Sequence, residues 1–407
     1  MSKTVTFGAV GDVGYWRNIV EESEKHGLGW PFERMTRVLA RADLLFGNAE
    51  SVVVPPDYPR KEIDPHGLVT TFDGLALGKA LKRAGFDVIN LAANHVLDAG
   101  EVGMFHTKRT LEAAGLVTIG VGRTQAQARK PVIIEKNGVT FGFLGYCEDT
   151  NYSLGTTGPC HAYYEIDSVL EDVRKLRRQV DVLVVSIHAD IEFMPTPSVP
   201  RRANFRRIAR AGADIILGHH PHVPQGCERV GKSIIAYSLG NFVFPAHTSS
   251  YMKGHAPNTG RSFALFVDVT RRGVKSFRRE PFVIPSAEDE RPRPLTGARR
   301  AAMLRYLAKL DRLVQDDAFV EKTWRDVAKR HFAIYVKRAA ERLFPAEKGK
   351  PGDMEGVLDE LVGRLCLTAE NRSWMDEVLL MGRERWDAQR KLRDPLHRPH
   401  YRYSKGK

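Results

Sequence analysis

Five short polar clusters follow apolar runs of the sequence, each at a position where a β-strand would end. The carboxyl ends of parallel strands meet at one edge of an α/β sheet, and this edge is where ligands and catalytic groups collect. Aspartate, glutamate, asparagine and histidine at such an edge supply the oxygen and nitrogen ligands of a hydrolytic metal centre. The pattern therefore predicts a centre of that kind. The clusters are Gly11-Asp12, Asn48-Ala49-Glu50, Asn94-His95, His188 and His219-His220-Pro221-His222.

The histidine cluster is the most specific of the five. Residues two apart point the same way in an extended segment, so His220 and His222 are predicted to bind a metal together, while His219 points elsewhere. A second interpretation stays open for three other donors: a helix cap for Asp12, a first-turn helix residue for Glu50 and a core histidine for His188. The donors suit one or two divalent metals, among Mn²⁺, Fe²⁺/Fe³⁺, Zn²⁺ and Mg²⁺. The predicted ligands are Asp12, Glu50, Asn94, His188, His220 and His222.

Two further residues have a predicted role in proton transfer. His95 follows the Asn94 ligand directly, where an imidazole could act as a general acid. Asp98 lies three residues later, close enough to orient or charge that imidazole, although a helix cap explains it equally well. Arg17, soon after Asp12, is a predicted contact for an anionic substrate, and a solvated surface position is the alternative.

Strand-like and helix-like patterns alternate over residues 5–245 and define the fold class. Apolar residues recur at helical spacing in 30–42, 75–84, 102–114, 166–180 and 201–211. Such alternation predicts mostly parallel sheet with helices on both faces. Asn137-Gly138 and Gly231-Lys232 each predict a hairpin, and 262–269 with 275–282 look like a further antiparallel pair. We therefore expect an α/β fold with a mixed sheet or two packed sheets and flanking helices.

The remainder of the chain predicts a separate helical part. We expect a catalytic domain over 1–285, a proline-rich charged linker over 286–296 and a basic helical C-terminal domain over 297–407. Helical spacing recurs in 298–314, 319–343, 354–365 and 374–392. Of the formal net charge of +13, residues from 291 onward carry +10. A solvated helical face explains this excess best, and nucleic-acid binding is disfavoured because no aromatic stacking platforms or binding motif accompany it.

Cysteine usage and hydropathy suggest a compartment. The four cysteines are far apart in the sequence with no CxxC pair, which fits a reducing environment better than a disulfide framework or a zinc-thiolate site. No apolar run of about 18 residues is present, so no membrane span is expected. The N-terminal residues enter the first strand without the apolar core of a signal peptide. These features predict a cytoplasmic protein.

Six motifs, in order along the chain, resemble those of the capsule-synthesis (CapA, poly-γ-glutamate biosynthesis) family. They cover about residues 5–245 and leave out the helical C-terminal part. That family is similar to the calcineurin-like metallophosphatases, so the resemblance implies a metallophosphatase-like sandwich of two sheets. The motifs are GDVGYWR, FGNAES, LAANHVLDAG, SIH with the following Glu192, GHHPHVPQG and YSLGNF, which contains Asn241.

The resemblance implies a role for individual residues. Asp12 matches the first metal-binding aspartate of the metallophosphatases, Asn94 a ligand and His95 the acid that protonates the leaving group. His188, His220 and His222 match the remaining histidine ligands. Glu192 and Asn241, like Arg17, are predicted to contact substrate.

The chain also departs from the metallophosphatase pattern. Gly14 stands where a metal-binding histidine is usual, and Gly47-Asn48 where a bridging aspartate is usual, which leaves Glu50 as its substitute. One metal site could therefore be weak, altered or absent. Ala189-Asp190 replace the tryptophan and glycine typical of the capsule-synthesis family, so the substrate pocket is expected to differ.

These features together predict a metal-dependent hydrolase in which a metal-bound hydroxide attacks a phosphoester and His95 protonates the leaving group. The same site could hydrolyse an amide, lactam or lactone, because a metal hydroxide also attacks a carbonyl carbon. The family also suggests a non-hydrolytic accessory role in the synthesis of a γ-glutamyl polymer. The expected partner is a small anionic or amide-containing substrate.

Overall fold

The computed structural model of the protein describes residues 3–63, 67–148, 158, 160–343 and 375–384. The strands are β1 Val5–Val13, β2 Leu44–Ala49, β3 Val52–Val53, β4 Val69–Thr70, β5 Phe86–Asn90, β6 Val117–Ile119, β7 Val121–Gly122, β8 Val132–Lys136, β9 Val139–Cys147, β10 Cys160–His161, β11 Val182–His188, β12 Ile215–His219, β13 Cys227–Val230, β14 Ser233–Ala236, β15 Asn241–Val243, β16 Arg261–Thr270, β17 Gly273–Val283 and β18 Arg293–Pro294. The α-helices are α1 Asn18–His26, α2 Thr36–Leu39, α3 Gly74–Arg83, α4 Gly100–Ala113, α5 Gln125–Ala128, α6 Ile166–Arg177, α7 Val199–Ala211, α8 Ser250–Lys253, α9 Gly297–Leu313 and α10 Asp317–Leu343. Trp30–Met35, Arg60–Glu62 and Asn258–Gly260 form 3₁₀ turns.

Two mixed sheets form the framework, which confirms the predicted α/β class. The first has the order β18-β17-β16-β1-β2-β5-β6, with β15 paired to β1, and its strands β1, β2, β5 and β6 are parallel. The second has the order β13-β14-β12-β11-β9-β8, with β9, β11, β12 and β14 parallel. The predicted antiparallel pairs are present as β8/β9, β13/β14 and β16/β17. At the first of these turns Asn137 and Gly138 both have positive φ, 52° and 81°, as a two-residue hairpin turn requires.

Aromatic side chains fill the space between the two sheets. Phe7 and Phe46 from the first sheet meet Phe141 and Phe143 from the second, and the rings of Phe46 and Phe143 are 6.1 Å apart at an interplanar angle of 8°. Burying each of these side chains contributes about 1.5–3 kcal/mol. Helices α3 and α4 cover the outer face of the first sheet and α6 and α7 that of the second. The packing fixes the two sheets against each other, and with them the strand ends that carry the polar clusters.

The strand registers place four of the polar clusters at one edge. Asp12 on β1 is paired with Asn48 on β2, which is itself paired with Asn90 on β5. In the second sheet His188 at the end of β11 is paired with His219 at the end of β12. Because all these strands end at this edge, residues far apart in the sequence are brought within hydrogen-bonding distance.

The chain is divided into two compact units, 1–321 and 322–407, so the predicted helical C-terminal domain falls partly in each. The assignment of the catalytic domain to 1–285 stays a prediction. The first compact unit extends beyond residue 285, because β18 pairs with β17 and α9 packs Met303, Leu307 and Leu310 into the core between the sheets. In the second unit, Trp324 Nε1 donates a hydrogen bond of 3.0 Å to Glu377 Oε2. The predicted helix over 354–365 lies outside the described residues, and the one over 374–392 is described, and helical, over 375–384. No helix in the described ranges has the length and apolarity needed to cross a membrane.

Candidate metal centre

Glu50 is the most unusual carboxylate of the site. It directly follows β2 and is 1% exposed. Neither of its carboxylate oxygens has a hydrogen-bond partner among the described residues. Burial raises the pKa of Glu50 well above its usual range, and the nearby negative charges of Asp12 and Glu192 raise it further. A buried carboxylate in this condition is stabilised either by a proton or by a cation.

His220 and His222 lie opposite Glu50 in the loop after β12. Ligand atoms of the three residues all fall within 4.8 Å of one another, and His222 Nε2 is 3.5 Å from Glu50 Oε1. Both histidines have positive φ, 93° and 56°, a conformation that costs non-glycine residues about 1–3 kcal/mol each. Burial lowers the pKa of His220 to about 4, so its imidazole is neutral at pH 7 and its lone pair is available to a metal.

Asn241 fixes which nitrogen His222 offers. The amide oxygen of Asn241 lies 2.9 Å from His222 Nδ1, and an amide oxygen can only accept, so His222 carries its proton on Nδ1 and its lone pair on Nε2. The amide nitrogen of Asn241 donates to the carbonyl oxygens of His222 and Thr259. Asn241 is fully buried and its side chain is engaged on both sides. Asn241 thus orients His222, and its contact with substrate stays a prediction.

Asp12 is fully buried and accepts hydrogen bonds at both oxygens. Asn48 Nδ2 and His219 Nδ1 lie 2.9 and 3.2 Å from Oδ1, and the backbone N–H of His220 donates to Oδ2 over 3.2 Å. Burial alone would raise the pKa of Asp12, but the hydrogen bond from His219 and the charges of His219 and His222 outweigh it and lower the pKa. His219 thus contacts Asp12 and is not part of the Glu50–His220–His222 group.

His188 is held between two asparagines. Asn48 Nδ2 is 3.1 Å from His188 Nδ1, and Asn94 Oδ1 is 2.9 Å from His188 Nε2. An amide nitrogen can only donate and an amide oxygen can only accept, so His188 accepts at Nδ1 and carries its proton on Nε2. Burial, followed by the neighbouring histidines His220 and His219, lowers the pKa of His188 well below its usual range. This imidazole is therefore neutral, with both ring nitrogens in hydrogen bonds.

The amide of Asn48 connects the two sheets at this point. Its nitrogen reaches Asp12 in the first sheet and His188 in the second, while its oxygen accepts a 2.7 Å hydrogen bond from Asn90 Nδ2. Asn48 belongs to one of the five predicted clusters but not to the predicted ligands, and no site role is predicted for Asn90. The one local signal for both was their position at the ends of neighbouring strands.

His95 and Asp98 form a pair at the rim. His95 Nδ1 lies 2.7 Å from Asp98 Oδ2, and Asp98 also accepts from the backbone N–H of Leu68. The His95 side chain is 19% exposed and that of Asp98 is 1% exposed. Asp98 thus holds the imidazole from the protein side while His95 faces solvent, as expected of an orienting carboxylate.

Glu192 and Arg17 are the remaining predicted contacts. Glu192 Oε1 lies 3.7 Å from His222 Nε2, and the hydroxyl of Tyr251 donates to the other carboxylate oxygen. Arg17 is exposed, has a φ of 47°, and lies with its guanidinium 4.2 Å from the centre of the Trp16 ring. Glu192 is therefore next to the Glu50–His220–His222 group, whereas a substrate contact for Arg17 stays a prediction.

The loop after His188 contains a buried network that the sequence did not reveal. Asp190, with a φ of 95°, accepts a hydrogen bond of 2.9 Å from the backbone N–H of Ser198 at the start of α7. Arg201 on that helix donates over 2.6 Å to Glu148, whose carboxylate also accepts from the backbone N–H of Asp190. The side chain at position 190 thus ties the loop that carries Glu192 to α7.

The donors of Glu50, His220 and His222 fit a divalent metal. They combine one carboxylate with two imidazoles, and both ring nitrogens of His220 as well as both oxygens of Glu50 lack a partner within the described ranges. Mixed oxygen and nitrogen donors of this type suit Zn²⁺, Mn²⁺ and Fe²⁺.

The sequence from residue 6 to residue 246 matches the family described as "Bacterial capsule synthesis protein PGA_cap". The chain belongs to this family. The matched range includes Glu50, His220 and His222 as well as Asp12, His188 and Asn241. The candidate centre is therefore part of the family region, and the helical residues beyond it are not.

Two relatives in this family are 32% identical to the chain. The "Capsule biosynthesis protein CapA" of Bacillus anthracis aligns over 252 residues, 60% of each chain. The "PGA biosynthesis protein CapA" of Bacillus subtilis aligns over 241 residues, 58% of this chain and 62% of the relative. The chain thus spans about three fifths of the length of these relatives.

Two solved structures are similar to this chain at low sequence identity. A 5'-nucleotidase from Candida albicans is 12% identical, with a TM-score of 0.39, and covers 78% of this chain and 58% of its own. A hypothetical protein from Thermus thermophilus is 14% identical, with a TM-score of 0.43, and covers 68% of this chain and 99% of its own. A similarity of this extent identifies no activity.

Proposed function

We propose that the protein is a metal-dependent hydrolase that cleaves a phosphoester at the edge formed by Glu50, His220 and His222. The observation that carries the proposal is the buried group itself. The Glu50 carboxylate and the His220 imidazole have no hydrogen-bond partner among the described residues, and their ligand atoms lie within 4.8 Å of each other and of a ligand atom of His222. Leaving such atoms buried costs about 1–3 kcal/mol each when nothing binds them.

Glu50, His220 and the Nε2 atom of His222 would hold the metal. A divalent metal in such a site acts as a Lewis acid and lowers the pKa of a water molecule that it binds. The protein's own contribution is preorganisation: Asn241 keeps the lone pair of His222 on Nε2, and the positive φ of His220 places its ring beside that of His222, at 6.0 Å between centroids.

His95 is the proposed general acid. The bond from His95 Nδ1 to Asp98 fixes the ring, so a proton that moves to or from the substrate is exchanged at Nε2. The partial exposure of His95 allows it to reach a leaving group, while the buried Asp98 carboxylate holds the ring in place. Arg17, which follows β1 in the chain, would attract an anionic substrate.

Amide, lactam or lactone hydrolysis is the second candidate, favoured by Glu192. Its carboxylate lies 3.7 Å from His222 Nε2 and accepts a hydrogen bond from the Tyr251 hydroxyl, so a second acid–base group lies next to the centre. An amide leaves as an amine that must be protonated, which gives such a group a use.

An accessory role without hydrolysis is the third candidate. The names of the two Bacillus relatives refer to biosynthesis of a capsule and of PGA, which suggests a γ-glutamyl polymer as the substrate or product. The chain covers only part of those proteins, so the role of the whole relative is proposed here for this chain and is not shown.

Turnover assays distinguish the three candidates. Purified protein with Mn²⁺ is tested on bis(p-nitrophenyl) phosphate and on γ-glutamyl p-nitroanilide, as the wild type and as His95→Ala and Glu192→Gln. A phosphoesterase cleaves the first compound and loses about 10²–10⁴-fold in kcat with His95→Ala. An amide hydrolase cleaves the second and depends more on Glu192.

His106→Ala, at a half-buried histidine of α4 outside the centre, provides the matched control and is expected to be unchanged. Absence of metal binding, or full activity after His220→Ala, would contradict both hydrolase candidates.

A further inference from the structure

We propose that the centre is mononuclear: one metal bound by Glu50, His220 and His222, with Asp12, Asn48, Asn94 and His188 as a hydrogen-bonded outer layer that binds no metal directly. This inference rests on the proposed metal-dependent function and assigns the residues within it. It narrows the expected one or two metals to one, and it moves Asp12, Asn94 and His188 out of the predicted ligand set.

The first argument is the state of the lone pairs. His222 presents a lone pair at Nε2 because Asn241 takes its Nδ1 proton, whereas His188 has none to offer because it accepts from Asn48 at Nδ1 and donates to Asn94 from Nε2. Binding a metal at His188 would require both asparagines to give up their hydrogen bonds. Binding at Glu50 and His220 would require no hydrogen bond to be broken.

The second argument is the engagement of Asp12. Its oxygens accept three hydrogen bonds, from Asn48 Nδ2, His219 Nδ1 and the backbone N–H of His220. These contacts satisfy most of the acceptor capacity of the carboxylate. The contact with His220 also connects Asp12 to the proposed metal ligands, because it fixes the backbone that positions the His220 ring.

The third argument is steric and concerns Gly14. A Cβ atom built at Gly14 would lie 2.6 Å from Cε2 of the Phe244 ring, closer than real contacts allow. The Phe244 ring in turn packs against His222, with 4.8 Å between ring centres. The Phe244 ring therefore occupies the space into which a side chain at position 14 would extend.

The fourth argument is the chemistry of Asn48. Two metals close together need a bridging anion to reduce their repulsion, and the residue between Asp12 and His188 is a neutral amide whose nitrogen points at both. An amide N–H directed into this gap favours acceptors there and disfavours a cation.

Metal stoichiometry of the wild-type full chain tests the inference directly. Metal-free protein is titrated with Mn²⁺ by calorimetry and by electron paramagnetic resonance, without any activity measurement. We expect one Mn²⁺ per chain and an isolated six-line signal. Two Mn²⁺ per chain with an exchange-coupled signal would overturn the inference but leave the proposed hydrolase intact, while no bound Mn²⁺ would overturn the proposed function itself.

A pair of variants at buried histidines tests the assignment of residues. Co²⁺ absorption in the visible range reports the atoms bound to the metal, so His222→Ala should change the Co²⁺ spectrum or abolish binding, and His188→Gln should leave its band positions unchanged. His188→Gln can still weaken binding by about 10–100-fold, as outer-layer changes do. A shifted Co²⁺ spectrum in folded His188→Gln, checked by near-ultraviolet circular dichroism, would refute the assignment. If His188→Gln does not fold, Asn94→Ala replaces it in the same measurement.

Discussion

Replacing Glu50 by glutamine should make the metal-free protein more stable at neutral and alkaline pH. The wild-type carboxylate is buried beside Asp12 with no hydrogen-bond partner within the described residues, so ionising it in the fold is costly. Glutamine keeps the shape and cannot ionise. Relieving a buried unsatisfied charge of this kind is worth about 1–3 kcal/mol, and we expect the free energy of unfolding of Glu50→Gln to exceed that of the wild type by this amount at pH 8.

The pH dependence of this difference has a definite sign. The pKa of Glu50 is raised in the folded state, so the folded protein binds this proton more tightly than the unfolded chain does. The stability that this proton contributes is fully present below the ordinary glutamate pKa of 4.5, and it is lost as the pH rises toward the pKa of the folded state. The wild type and the variant should therefore be equally stable below about pH 4.5, and the difference should grow with increasing pH. Glu62→Gln, at an exposed glutamate, is the control and should show no difference at any pH.

Bound metal should reverse the order of stability of the wild type and Glu50→Gln. Mn²⁺ at about 100 times its dissociation constant stabilises a folded protein that binds it by about 2.7 kcal/mol, and only the wild type should gain this. Urea unfolding of both proteins at pH 5 and pH 8, with and without Mn²⁺, gives the eight unfolding free energies that are needed. The reasoning is refuted if Glu50→Gln is no more stable than the wild type at pH 8 without metal, or if Mn²⁺ stabilises both equally.

Three further predictions concern the same edge. Asp98→Asn should lower kcat by at least about tenfold while the protein still binds Mn²⁺, because Asp98 holds His95 through a 2.7 Å contact; turnover and calorimetry on one preparation test this. The metal-free wild type should lose stability relative to His220→Gln as the pH falls from 6.5 toward 4, since burial lowers the pKa of His220 to about 4 and protons then bind the unfolded state more strongly; a difference in unfolding free energy between the two proteins that stays constant over this range would contradict it. Gly14→Ala should cost about 1–3 kcal/mol through the contact with Phe244, and the double variant with Phe244→Leu should cost less than the sum of the two single changes, as a double-mutant cycle of unfolding free energies would show.

The strands and the edge at which they end could be predicted from the sequence because their signals are local. An apolar run followed by a polar residue marks the end of a strand. Asn137-Gly138 likewise marks the turn of the β8/β9 hairpin without reference to the rest of the chain. The helix predicted over 30–42 is instead a 3₁₀ turn, Trp30–Met35, followed by the short α2. Apolar spacing alone does not separate these two helix types.

The roles of residues within the centre depended on contacts that the sequence does not contain. Asn48 and His188 are 140 positions apart, and their contact exists because the two sheets pack face to face. Asn241 belongs to a predicted motif, yet only its 2.9 Å contact with His222 shows that it orients a ligand. Local pattern supplies the types of donor, and tertiary register decides which lone pairs remain available.

The backbone of the His220–His222 segment separates a metal site from an ordinary buried polar cluster. Two non-glycine residues with positive φ cost about 1–3 kcal/mol each, and Asn or Gly would adopt these conformations more easily. The buried, unpartnered carboxylate of Glu50 adds a cost of similar size. These costs coincide at one point, where they bring two imidazoles and one carboxylate within 4.8 Å. A protein metal site can return about 10 kcal/mol or more on binding, which exceeds their sum. The proposed cation therefore accounts for the desolvated charge and for the two imidazoles together, whereas a proton on Glu50 would account for the charge alone.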